Sequence, residues 1–184
     1  ICAAEIPVIE VGKGVQRVIV VEKECVMHRL VEDRWPETSG SVLVSGKGMP
    51  DLPSRALIHA LHTIHHLPVK GLCDCGPFGV AILAVFRYGS NTPGDGHRFQ
   101  TPLHWLGLQP SDASILPLPP HTHQTLTKSD VSKTQSLLHD SRLHPSWKMQ
   151  VKRYWDQQDA WKCELEALLA CGLHGLEDFL NTKL

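Results

Sequence analysis

Two acidic residues stand where a strand-like run gives way to a polar turn. Glu22 follows Arg17-Val18-Ile19-Val20-Val21, and Asp74 follows Val69-Lys70-Gly71-Leu72-Cys73. If these runs are neighbouring parallel strands, both carboxylates reach the carboxyl rim of one sheet, where ligands of open α/β sheets collect. Two carboxylates with room for water and phosphate suit a hard cation such as Mg2+. Acids also favour helix starts through the helix dipole, so for each residue taken alone capping is the commoner explanation. Lys47 lies between Gly46 and Gly48, after the run Ser41-Val42-Leu43-Val44-Ser45. Glycines there permit close backbone approach, and the lysine either meets a phosphate or is an exposed turn residue. Arg55 orients an acid or a phosphate, or else forms a surface pair, with Asp51 at helical spacing as its partner.

The twelve histidines raise a zinc reading. His59, His62 and His66 fall on one helical face, with Cys73 and Cys75 near in sequence, but strong zinc motifs pair their ligands as C-x2-C and H-x3-H combinations. A solvated histidine face is the ordinary explanation, and Cys73 is expected to point into the core. His121 and His123 lie on a Pro-rich loop and carry no more weight.

The elements that must position these side chains follow from periodicity. The three runs read as strands, the first two continuous enough to be buried on both faces. Residues 23–33 and 52–66 repeat apolar side chains at helical spacing, at Val26, Met27 and Leu30 and at Leu57, Ile58, Leu61 and Ile64. Another helix is expected from Pro77 towards Tyr88. Strand, helix, strand, helix, strand implies a parallel sheet with right-handed crossovers. From Asn91 onward Pro93, Gly94, Gly96, Pro110, Pro117, Pro119 and Pro120 predict a loop-rich extension without a second core. Helices are expected again over 128–138, with Thr127 as N-cap, and over 158–180, with Trp161, Leu165, Leu168 and Leu169 along one side as core or dimer contact. The domain reading is a connecting segment over 1–14, a core over 15–90 and an extension over 91–184.

Composition narrows the setting. The 184 residues, 42% hydrophobic, suffice for one domain with a genuine core. A net charge of −1 provides no whole-surface basic excess, so any nucleic-acid site is a local patch. Six cysteines scattered through apolar segments point to a reducing compartment. No apolar run approaches the roughly 20 residues of a membrane span, and no basic leader opens the chain, so a soluble protein without a membrane partner is expected.

Longer motifs are more specific than the acid pair. VVEKECVMHRLVED, SGKGMPDLPSR, LCDCGPFGVAILAVFRYGS and LHWLGLQPSD succeed one another over residues 18–112, and FLNTKL lies at the end. In order and spacing they resemble the Toprim portion of the Spo-type meiotic double-strand-break proteins and of the A subunit of DNA topoisomerase VI. The resemblance implies an α/β, Rossmann-like Toprim fold, with Glu22 and Asp74 as catalytic Mg2+ ligands and Lys47 and Arg55 as DNA contacts. It also implies a nuclear, chromosomal protein acting on double-stranded DNA as a homodimer, with meiotic break-forming accessory proteins and a topoisomerase VI B-like subunit. In that family a tyrosine from an upstream winged-helix domain attacks the phosphodiester, while the Toprim metal of the second copy assists.

Two features depart from the pattern. Gly76 stands where the Asp-x-Asp motif has its second aspartate, and the winged-helix domain is expected to be absent from this chain. Of the two tyrosines, Tyr88 belongs to the YGS element and Tyr154 to the extension, so neither matches the nucleophile. A degenerate DNA-binding or dimerisation module is therefore the alternative. A primase or small-RNA nuclease of the Toprim class is weaker, because WLGLQPSD and YGS argue against it.

Overall fold

The computed structural model describes residues 9–90, 98–156, 160–172 and 174–184. Strand β1 (Arg17–Val21) is followed by helices α1 (Glu24–Glu32) and α2 (Trp35–Ser39), strand β2 (Ser41–Ser45), helix α3 (Leu52–His65), strand β3 (Val69–Leu72) and helix α4 (Pro77–Tyr88). Then come β4 (Leu103–Gly107), α5 (Pro110–Ala113), a 3-10 turn (Pro120–Thr122), β5 (Gln124–Thr125), α6 (Lys128–His139) and α7 (Pro145–Asp156). The chain closes with β6 (Trp161–Lys162), a 3-10 segment (Leu165–Cys171) and α8 (Gly175–Lys183).

Four strands form a parallel sheet in the order β2-β1-β3-β4, the α/β architecture expected of a Toprim fold. Val18, Ile19, Val20 and Val21 are fully buried, because helices cover both faces of a parallel sheet and a continuous β-branched run satisfies both. In the register of β1 with β3, Val21 lies beside Leu72. That pairing sets the residues after each strand, Glu22 and Asp74, on the same rim. On α1 the buried Val26 and Leu30 sit four apart, and on α3 Ile58 and Leu61 sit three apart, each facing the sheet. Asp51 starts α3 by accepting a hydrogen bond from the Ser54 amide at 2.8 Å. Thr127 caps α6 as expected and forms a reciprocal capping box with Asp130.

Two expectations for the second half are corrected. The stretch 103–107, read as part of a loop-rich extension, is β4, and it pairs with β3 through Val69–Leu103 and Gly71–Trp105. It lacks a β-branched residue and is bounded by Pro102 and Gly107, so its local propensity is weak. Burial of Leu103 and Trp105 against the sheet decides its conformation. The helix expected over 158–180 is instead β6, the 3-10 segment and α8. Gly172 adopts φ 127°, a conformation that no helix interior contains, and separates the last two pieces. Leu165 and Leu168 are buried while Leu169 is 41% exposed, so the supposed stripe does not share one side. Residues 91–97, which include Pro93, Gly94 and Gly96, and residues 157–159 lie outside the described residues, as does the side chain of Tyr154. One contiguous core runs from Val18 to Leu180 and takes in both halves of the chain.

Candidate metal centre

The two acids meet at the rim. The Glu22 amide donates to the Leu72 carbonyl at 3.0 Å, extending the β1–β3 ladder by one rung. The Asp74 amide then donates to Glu22 Oε2 at 2.9 Å. Asp74 Oδ1 accepts from the Leu165 amide at 2.8 Å, and Asp74 Oδ2 lies 3.1 Å from Lys23 Nζ. The same ammonium reaches Glu166 Oε2 at 2.9 Å and Glu164 Oε2 at 3.3 Å.

The charges of this cluster strain against one another. Burial, followed by repulsion from Asp74, pushes the Glu22 carboxyl up to about 7, although the Asp74 amide and Lys23 pull the other way. Burial likewise raises Asp74, opposed by the Leu165 amide and Lys23. For Lys23 burial favours the neutral form, but the bond to Glu166 and the attraction of Asp74 outweigh it and hold the ammonium charged. A rim that raises its own carboxylates in this way favours an added cation.

Glycines shape the space beside the pair. A Cβ on Gly79 would stand 2.8 Å from Glu22 Oε2 and 2.9 Å from the Cys73 Cβ, so α4 begins tight against the carboxylate only because this residue has no side chain. At Gly76 a Cβ would meet only the Lys162 Cβ, at 3.9 Å, leaving open the volume that an aspartate would fill. That volume is part of a cavity of about 110 Å³ lined by Glu22, Asp74, Gly76, Lys162 and Glu164, among others.

The far wall comes from residues 163–166. Cys75 and Cys163 exchange backbone hydrogen bonds of 2.9 and 3.1 Å, which brings Glu164 and Glu166 to Lys23. Sequence reasoning missed Lys23, Glu164, Glu166 and the role of Gly79. The lysine adjoining Glu22 was a usable signal, whereas nothing local in CELEAL announces that its glutamates meet Lys23, far back in the chain.

Lys47, with φ 52°, lies on the loop after β2 at the same sheet rim, its side chain 72% exposed and its Nζ 3.1 Å from Glu24 Oε1. Arg55 is not brought to the rim surface: it is 1% exposed within α3, with its guanidinium directed at the Arg98 carbonyl at 3.4 Å. The histidine face does not gather ligands. His59 Nδ1 pairs with the Gln100 carbonyl, His62 Nδ1 pairs with the Leu67 carbonyl, and His66 leaves the helix in a left-handed conformation. Among the described residues no group of three or more His, Cys, Asp or Glu side chains is arranged to hold a metal ion, and Glu22 and Asp74 stand as a pair. Cys73 is fully buried, as its position at the strand end predicted. Tyr88 ends α4, about 16 Å along the helix from its start beside the acids, and its hydroxyl accepts from the His144 amide. Among the described residues no helix is long and apolar enough to cross a membrane.

A parallel sheet carrying a glutamate after one strand and an aspartate after its neighbour defines the Toprim class. The chain belongs to the family of Spo11 and the topoisomerase VI A subunit: residues 17–184 match the model of that family's Toprim domain. It is 35% identical to the meiotic recombination protein SPO11 of Mus musculus over 155 residues, covering 82% of this chain and 39% of that protein. It is 33% identical to the meiotic recombination protein SPO11-1 of Arabidopsis thaliana, covering 88% of this chain and 45% of the relative. Its identity to SPO11-1 of Oryza sativa subsp. indica is 34%, over 91% of this chain and 45% of that protein. The chain therefore spans less than half the length of these relatives.

Toprim domains generally bind a divalent metal such as Mg2+. The donor set here fits one: two adjoining carboxylates, both raised by burial and Glu22 further by Asp74, open onto a cavity with space for water and phosphate oxygen.

Proposed function

We propose that this chain supplies the metal-bearing half of a composite centre that breaks double-stranded DNA during meiosis, with Glu22 and Asp74 holding Mg2+. The supporting observation is the meeting of the two acids beside an open cavity: the Asp74 amide fixes one Glu22 oxygen, and burial, followed by repulsion from the Asp74 carboxylate, pushes Glu22 up to about 7. Glu22 offers the carboxylate oxygen left free by the Asp74 amide, and Asp74 is oriented by the Leu165 amide. Lys47, on the same rim, meets the DNA backbone as a point charge. A bound cation would neutralise non-bridging phosphate oxygens and stabilise the departing 3′ oxygen. The attacking tyrosine comes from the winged-helix domain of a second copy in a homodimer, which assembles with accessory proteins and a topoisomerase VI B-like subunit on chromosomes in the nucleus. Arg55, buried in α3 and directed at the Arg98 carbonyl, acts as a structural residue and not by touching phosphate.

A second reading, a DNA-binding and dimerisation module with a decayed metal site, is favoured by Gly76, which removes a carboxylate from the rim. Calorimetric titration of Mg2+ into the protein, with and without a short duplex, separates the two. Saturable binding lost in Glu22→Gln is expected. No binding in either condition would overturn the metal reading and leave the module.

A further inference from the structure

Lys23 has two kinds of partner. Asp74 belongs to the proposed metal rim, whereas Glu164 and Glu166 belong to the segment that packs across it. Asp74 is also held in two ways: a backbone amide fixes Oδ1, and a side-chain ammonium meets Oδ2. If the ammonium withdraws, the carboxylate stays in place through Leu165 and presents Oδ2 to another cation. Glu166 already holds Lys23 at 2.9 Å, so withdrawal needs only a short swing of a flexible four-carbon stem.

We propose that Lys23 is an exchangeable internal counter-ion: it neutralises Asp74 when no metal is bound, and moves onto Glu164 and Glu166 when a divalent cation takes Asp74 Oδ2. The proposal rests on the metal reading above and concerns how that site is controlled. A dication at coordination distance from Oδ2 would repel an ammonium held 3.1 Å from the same oxygen, so simultaneous occupancy is disfavoured. The two glutamates give the displaced charge a partner, which lowers the cost of metal entry. Without the metal, Lys23 keeps the crowded acids compatible with a folded rim. Glu164 and Glu166 act on the site through Lys23 and are positioning residues.

The test is Mg2+ titration by calorimetry at pH 7.5, together with thermal unfolding in EDTA and in Mg2+, for wild type, Lys23→Met, Glu166→Gln, the double variant and Glu22→Gln. Lys23→Met is expected to tighten Mg2+ binding roughly tenfold by removing a competing charge, and to enlarge the stabilisation that Mg2+ gives. Glu166→Gln should weaken binding several-fold, and that loss should disappear in the Lys23→Met background, because the glutamate acts through the lysine. Unchanged or weaker binding in Lys23→Met overturns the exchange. A Glu166→Gln effect that persists in the double variant also overturns it, since simple loss of negative charge would then account for the weakening. If Lys23→Met does not fold in EDTA, its titration is begun from the Mg2+-bound form by competition with a chelator, and the same comparison applies. Loss of binding in Glu22→Gln with no change in Lys23→Met would sink the exchange alone. Wild-type binding that survives Glu22→Gln would place the cation elsewhere and sink both readings.

Discussion

Glu22 is a residue whose departure from an aqueous setting titration reads directly. Its carboxyl rises from an ordinary 4.5 to about 7 in the folded chain. Between those values the folded state keeps a proton that the unfolded state has released, so stability falls as pH rises from about 4.5 through about 7 and then levels off. The shift corresponds to at most about 3 kcal/mol. In EDTA, where no cation offsets the burial of the charge and the repulsion from Asp74, Glu22→Gln should therefore be more stable than wild type at pH 8 by up to that amount, and little different near pH 4.5. Chemical denaturation of both proteins at the two pH values measures it, and parallel pH profiles would remove Glu22 as the source. Gly76→Asp belongs to the same scale. The open volume at Gly76 admits the side chain, and a further carboxylate beside Glu22 and Asp74, on a rim already short of positive charge, should destabilise the metal-free protein while tightening Mg2+ binding about tenfold or less.

Elements differed in how openly the sequence announced them. β1 was legible because a strand buried on both faces must be continuously apolar, and RVIVV nearly is. β2 was legible as a strand, but at the sheet edge Val42 and Leu43 are only half-buried, so it is not enclosed on both faces as expected. The helix α3 was legible in extent, but Leu57 and Ile64, which the apolar period assigned to its packed face, are 38% and 59% exposed. The acid pair was legible because alternating strands and helices imply a parallel sheet whose carboxyl ends share one rim, while the adjacency of β1 and β3 that brings the acids together comes from the structure. β4 and the C-terminal wall were not, since their conformations depend on partners distant in sequence. Phe179 on α8 shows the dependence: its ring packs where a Cβ on Gly107 would stand, 2.5 Å from Phe179 Cζ, while Lys183 pairs with Asp112 of α5 at 2.5 Å. Removing that buried ring by Phe179→Ala should cost about 3–5 kcal/mol. Gly107→Ala should cost about 1–3 kcal/mol by overfilling the same contact. Urea unfolding of both variants tests whether α8 is an integral part of the sheet's support; losses below about 0.5 kcal/mol would make it a peripheral appendage.

At the scale of the whole molecule, charge limits how this protein can meet DNA. With a net charge of −1, the chain lacks the general attraction for phosphate that drives non-specific binding, and its proposed DNA face carries Glu22, Asp74, Glu164 and Glu166 on one rim. Lys23 offsets part of that negative field but is committed to the acids, and the exposed Lys47 is drawn to Glu24. A divalent cation at the rim therefore changes more than the local chemistry: it converts a surface that repels phosphate into one that attracts it. Duplex binding should accordingly be weak in EDTA and tighten at least severalfold in Mg2+ at constant ionic strength, and Glu22→Gln should abolish the difference. Lys47→Gln should weaken binding uniformly across sequences and reduce the salt slope by about 1. Fluorescence anisotropy of a labelled duplex over a salt series reads both effects. Equal affinity in EDTA and Mg2+ would mean that this rim does not face the phosphate backbone, and the DNA contact would then have to be sought on another surface of the sheet.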